Sequence, residues 1–182
     1  MDRAVSRTGA PAPAIREARP DDLDPLLAIE AVFPTDRLGR RSFRHAMQAP
    51  TTDLLVADGD AGPIGYALVQ RRRNSGIGHL SSIAVRPGAA GKGLGKALLA
   101  AAEAEAKAKG CTRLRLEVRA DNKPAQKLYE TAGYRRFETV ADYYEDGEAA
   151  WRYEKGLDHL SRRERACPRA PTRGSRRRQP SG

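Results

Sequence analysis

At 182 residues and 40% hydrophobic content, the chain suits one domain with a sizeable buried core. No eighteen-residue apolar run and no apolar segment near the start are visible, so neither a membrane-spanning helix nor a secretory leader is expected, and a cytoplasmic location is. Two distant cysteines, Cys111 and Cys167, match no disulfide framework and no zinc spacing; no metal is expected, and Cys111 reads as a small core residue before a strand.

The net charge of +10 suggests nucleic acid until it is divided along the chain. Residues 158–182 carry +6, residues 1–14 carry +1, and only +3 remains for residues 15–157. The foldable part is mildly basic, which suits a ligand bearing several phosphates as well as it suits nucleic acid. Residues 1–13 lack periodicity and read as a disordered extension, 14–157 as the folded domain, and 158–182 as a basic disordered tail. Contact of that tail with RNA or an acidic surface is weighed against a merely solvated extension, and the second reading is preferred.

In chain order, Ile15 to Arg19 alternates as a first strand. Pro20-Asp21-Asp22 starts a helix with acids in its first turn, and Asp22 to Ala31 is amphipathic through Leu23, Leu26, Leu27, Glu30 and Ala31. A second helix covers about Arg40 to Gln48, with Phe43 and Met47 four apart. Leu54 to Ala57 and Ile64 to Arg71 form a hairpin around Asp58-Gly59-Asp60. Arg71, Arg72 and Arg73 read as a solvated rim. Ile77 to Val85 is the next strand, and Gly93 to Lys109 is a long alanine-rich helix stopped by Gly110. Arg113 to Arg119 alternates cleanly, with Leu114, Leu116 and Val118 on one face and Arg113, Arg115, Glu117 and Arg119 on the other. Asp121-Asn122 caps a short helix with Pro124 in its first turn and Ala125, Leu128, Tyr129 and Ala132 on its apolar face. Arg135 to Tyr144 and Glu148 to Lys155 read as a closing hairpin. The order predicts an α/β fold, a mixed sheet with helices on its faces.

The chemistry centres on Ile83 to Ala97, an apolar strand end followed by Arg86-Pro87 and a loop with glycines at 91, 93 and 95 opening a helix. Unpaired N–H groups and about half a positive charge lie at a helix N-terminus, and missing Cβ atoms let an anion approach. Lys92 and Lys96 add charge, so the expected ligand is a phosphate or pyrophosphate. The dinucleotide pattern from Gly91 fails at Lys96, and the P-loop pattern fails because Gly93 follows Lys92.

The loop Gly91-Lys92-Gly93-Leu94-Gly95-Lys96 resembles the acetyl-CoA pyrophosphate loop of the GNAT N-acetyltransferases. Leu116-Glu117-Val118-Arg119-Ala120-Asp121-Asn122, Ala125, Leu128-Tyr129-Glu130, Gly133-Tyr134 and Asp142-Tyr143-Tyr144 resemble its ribosomal-protein alanine acetyltransferase branch, over roughly 22–157. The resemblance implies a central mixed sheet of about seven strands, helices on both faces and a splayed central strand pair. It implies acetyl-CoA as acetyl donor and a protein or peptide amine as acceptor, with no membrane partner. It implies Glu117 as general base and Tyr129 as general acid. Backbone of Ile83, Ala84 and Val85 would meet the cofactor along with the glycine loop and Asn122, and Tyr143 and Tyr144 would wall a peptide groove. Read alone, Glu117 is one charge on a solvated strand face, Tyr129 a core aromatic and Asn122 a helix cap. His79 is the second candidate for the base.

Two departures matter. Ala90 stands where the family carries Gln or Arg, and Phe33-Pro34-Thr35 stands where the branch carries Phe-Pro-Trp beside the acceptor. Lysine side chains and small-molecule amines therefore stay open as acceptors. A nucleic-acid-binding module on a degenerate fold is the reading from another functional class, and it has no need of Glu117, Asn122 and Tyr129 together.

Overall fold

The computed structural model describes residues 13–157. The expectations for the basic tail, for Cys167 and for residues 1–12 fall outside the described residues. Seven strands make one sheet: β1 (Ile15–Glu17), β2 (Thr52–Gly59), β3 (Gly62–Arg71), β4 (Ile77–Val85), β5 (Arg113–Arg119), β6 (Arg135–Val140) and β7 (Ala150–Gly156). Their order is β1-β2-β3-β4-β5-β7-β6, and β4–β5 is the parallel pair in an otherwise antiparallel sheet. Four helices complete the mixed α/β architecture: α1 (Leu23–Glu30), α2 (Arg40–Gln48), α3 (Leu94–Ala108) and α4 (Lys123–Thr131).

Residue pattern explains the layering. β2 and β3 are apolar on both faces, the mark of strands covered twice. Leu55, Ala57, Ala67 and Val69 join the core under α3, while Leu54, Val56, Tyr66 and Leu68 join a second core under α1 and α2. β5 is different. Its Leu114, Leu116 and Val118 enter the α3 core, and its other face carries the charged alternates. α1 packs mainly on β3 and α2 on β2, so the charged face of β5 is left open.

β4 and β5 pair only from Ile77↔Arg113 to His79↔Arg115. Beyond that point β4 stays with β3 as far as Gly65↔Val85. Leu68 opposes Ser82 and Val69 opposes Leu80, so Ser81 is the extra residue of a β-bulge, which bends its strand. The result is the splayed pair the resemblance implies. From Leu80 onward, the edge of β4 that would face β5 has no strand partner, and its backbone groups are open to a ligand.

Several expectations need correction. Pro20–Asp22 is a 3-10 turn ahead of α1, with its acids in the first turn as expected, and Asp22 is buried. Its carboxylate accepts from the Arg16 guanidinium at 2.8 and 3.0 Å and from the Arg19 N–H at 2.6 Å. Arg71 is no solvated rim residue: it pairs with the buried Asp53 at 2.8 and 3.1 Å. The strand expected to reach Tyr144 stops at Val140, because Asp142 and Gly147 take φ of 50° and 82° and reverse the chain. Tyr143 and Tyr144 therefore sit on the β6–β7 loop. Cys111 is buried ahead of β5 as expected, and burial pushes its thiol up.

Candidate active site

β4 leads into a 3-10 turn at Pro87–Ala89 and then the glycine loop. Gly91 and Gly93 have φ of 76° and 78°, where a side chain is strained, yet a Cβ on either would meet nothing within 4 Å. Glycine is needed there for backbone conformation, not for packing. Gly93 is the N-cap of α3 and supplies no side-chain cap, so the first-turn N–H groups have no side-chain acceptor. A cleft of about 640 Å³ starts at this cradle and extends between the splayed strands.

Ile83, Ala84, Val85, Gly91, Gly93, Leu94, Gly95, Lys96 and Asn122 all line the cleft. Lys92 does not: the turn through Gly91 and Gly93 leaves it exposed and off the wall. Asn122 caps α4, its Oδ1 accepting the Ala125 N–H at 3.2 Å, which leaves the amide NH2 for a ligand. The cap reading and the cleft reading of this residue hold together.

Glu117 and Tyr129 face the same cleft from β5 and α4. The Glu117 side chain is only 16% exposed. Its Oε2 contacts His79 Nε2, and its Oε1 lies 3.2 Å from Arg152 Nε. His79, then Arg152, hold the carboxyl below its usual range against a desolvation cost that pushes the other way. Glu117 also lines a second cavity, of about 660 Å³, together with His79, Arg115, Glu138 and Arg152. It is therefore the wall between two spaces, not one charge of a solvated face.

Tyr129 is buried, with ring centroids 5.8 Å from Tyr134 and 6.3 Å from Tyr153. Burial pushes its phenol up, so it stays protonated at neutral pH. Tyr153, by contrast, donates its hydroxyl to Glu130 at 2.8 Å. Of the loop tyrosines, Tyr144 lines the cleft and Tyr143 does not, being 44% exposed.

Two arrangements were missed from sequence. Arg119 stacks over Tyr144 at 4.8 Å and pairs with Asp146 at 2.5 Å, Asp121 at 3.1 Å and Asp36 at 3.6 Å. It ties the α1–α2 loop to the β6–β7 loop across a side cleft that includes Pro34, Thr35 and Glu145. The altered Phe33-Pro34-Thr35 thus lies at the mouth of the site, with Phe33 in the main cleft. Its signal was the alternation that puts Arg119 on the same face as Glu117. The second arrangement runs inward. The buried Tyr66 hydroxyl contacts the Glu30 carboxylate and lies 2.8 Å from Ser82 Oγ, a cleft residue, while Glu30 Oε2 accepts the Leu38 N–H at 2.7 Å. A carboxylate on the apolar stripe of α1 was the available sign.

Comparison with known proteins identifies the family. The model of the Acetyltransferase (GNAT) family matches residues 17–134. A Bacillus subtilis protein provisionally named a [ribosomal protein bS18]-alanine N-acetyltransferase is 34% identical over 134 residues, covering 73% of this chain and 87% of its own. The Arabidopsis thaliana N-terminal acetyltransferase A complex catalytic subunit NAA10 is 31% identical over 148 residues, covering 79% and 77%. Among solved structures, the ribosomal-protein-S18-alanine N-acetyltransferase from Escherichia coli superposes with a TM-score of 0.72 at 26% identity, covering 82% of this chain and 96% of that one.

Proposed function

This chain belongs to the GNAT acetyltransferase family, and from that premise we propose that it transfers an acetyl group from acetyl-CoA to the α-amino group of a protein or peptide N-terminus. The activity is assigned to residues 14–157. The observation that carries the reading is a single cleft with a glycine cradle at one end and Glu117 and Tyr129 on its walls.

The residues present fit acetyl-CoA. Gly91, Gly93 and the start of α3 would take the pyrophosphate, with Lys96 adding charge. The unpaired edge of β4 at Ile83–Val85 and the amide of Asn122 would take the amide-bearing arm. Bound there, acetyl-CoA supplies an activated thioester carbonyl. An α-amino group has a pKa near 8 and must lose a proton before it attacks. Glu117 is the base in this reading, acting directly or through one water. A β4 backbone N–H would donate to the carbonyl oxygen as it gains charge. Tyr129 keeps its phenol proton and would give it to the departing sulfur. Holding amine and thioester together contributes much of the acceleration.

Protein N-termini are favoured as acceptor by the side cleft between the α1–α2 and β6–β7 loops, which adjoins the main cleft at Arg119 and offers a surface along which a chain can continue. Because Thr35 stands where the branch carries Trp, no one N-terminal residue is assigned. The test is CoA release with peptides bearing free N-terminal Ala, Ser or Met, beside N-blocked peptides with an internal lysine. Turnover on free N-termini, reduced about 100-fold or more by Tyr129→Phe, is expected. Turnover confined to the lysine peptides would overturn the acceptor assignment, and an unaffected Tyr129→Phe would overturn the acid.

A further inference from the structure

We propose that the second cavity is a docking groove for the acceptor polypeptide, selective for acidic side chains at the acceptor's third and fourth residues. The inference rests on the reading of Glu117 as the group that meets the acceptor amine, and it names the class of N-terminus that the site takes up best.

The groove lies on the open, charged face of β5, with residues of α2 on one side and of β6 on the other. Glu117 is common to this groove and the main cleft, so a chain lying in the groove can present its amine to the reacting end of that cleft. Arg115 follows two residues back along β5, and Arg72 stands just past the end of β3. Phe137 of β6 gives an apolar wall. It is 50% exposed, and the Arg115 guanidinium lies 5.2 Å over its ring.

Charge is polarised along this groove. At the Glu117 end one guanidinium serves two carboxylates, with Arg152 lying 3.2 Å from Glu117 and 2.8 Å from Glu138. The excess there is negative, which suits an amine arriving as ammonium. At the far end two guanidiniums serve one carboxylate, Arg113 and Arg115 sharing Glu154 at 3.0 and 2.5 Å. Arg71 is closed off by Asp53 at 2.8 Å, whereas Arg72 is exposed and has no ion-pair partner among the described residues. The excess there is positive. A polypeptide N-terminus followed by acidic side chains carries its charges in the complementary order.

Spacing picks out the residues. A strand rises about 3.3 Å per residue, so Arg115 lies about 7 Å along β5 from Glu117. An extended acceptor with its amine at Glu117 brings its third residue level with Arg115 and its fourth towards Arg72. The side cleft is the poorer route for such a chain. Asp36, Glu145 and Asp146 line it, and its Arg119 is already paired with Asp36, Asp121 and Asp146. Like charges there repel an acidic segment, and the second cavity attracts it.

Two peptides with a free N-terminal alanine, differing only in Glu or Gln at their third and fourth residues, test this on the full chain by CoA release. The Glu peptide is expected to show a kcat/KM about fivefold higher at low ionic strength. The advantage is expected to fall below about twofold in about 0.5 M salt, because the facing guanidiniums are exposed and screened. Arg72→Glu combined with Arg115→Gln is expected to abolish or invert the preference, while Glu154 keeps Arg113 as its partner. Equal kcat/KM for the two peptides, or an undiminished preference in the double variant, would overturn the groove and leave the N-terminal acetyltransferase reading standing. Turnover on neither peptide, with turnover on N-blocked lysine peptides, would overturn both.

Discussion

Tyr66→Phe removes one oxygen from the interior and keeps the ring that packs edge-on against Phe43 at 5.3 Å. What is lost is a hydroxyl bridging Glu30 on α1 and Ser82 on β4. Glu30 is only 6% exposed, so its carboxylate keeps the Leu38 N–H and loses its other partner without gaining free access to water. Hydrogen bonds to charged groups contribute about 1.5–3 kcal/mol, and the aromatic packing is unchanged, so a loss of about 2 kcal/mol is expected. For a folded unit of this size that corresponds to a fall of about 4–8 °C in Tm. Urea unfolding at pH 7 should show a lower midpoint with an unchanged m-value, because the same surface is exposed. Burial holds the Tyr66 phenol well above its ordinary range, so this loss should be flat from pH 6 to 9. The same bridge holds the α1–α2 loop through Leu38, so KM for the acceptor should rise more than KM for acetyl-CoA. A stability change under about 0.5 kcal/mol, or no coupling in a Glu30→Gln/Tyr66→Phe double-mutant cycle, would refute the bridge.

Other outcomes follow from the same structure. Arg16 holds the Asp22 carboxyl below its usual range, so the stability it contributes is present above about pH 4 and lost as pH falls through the lowered folded value. Arg16→Met, which removes the partner of both Asp22 and Asp58, should therefore cost about 3 kcal/mol at pH 7 and progressively less in denaturant melts below pH 4; a constant difference down to pH 2 would contradict the pairing. In Gly65→Ala the new Cβ would lie 3.0 Å from both the Ala84 carbonyl oxygen and Leu98 Cδ1, which should destabilise by about 1–3 kcal/mol. It should also weaken acetyl-CoA binding, read by calorimetry, because Ala84 belongs to the cleft wall. Truncation after Leu157 should keep turnover on short peptides within twofold, and loss of that turnover would place essential residues in the arginine-rich tail.

Much of this architecture could be read from local pattern. The alternation of Arg113 to Arg119, the alanine-rich run after Gly93 and the Asn122 cap are set by nearest-neighbour geometry, and each element formed within a few residues of its expected ends. The glycine loop was legible for the same reason, since left-handed backbone at Gly91 and Gly93 is a property of those residues themselves. The roles proposed for Glu117 and Tyr129 rest on motif resemblance, because alternation alone makes Glu117 one charge among arginines. What needed the folded molecule was every relation between distant segments. The bulge at Ser81 and the short β4–β5 register open the sheet at Glu117, and no periodicity in either strand signals where their pairing stops. The partners of Arg119 come from positions 36, 121 and 146, and the apposition of His79 and Glu117 spans 38 residues of sequence. A side chain's chemistry is carried by its residue type, but a carboxylate becomes a base, an ion pair or a buried anchor only through neighbours that tertiary packing brings to it.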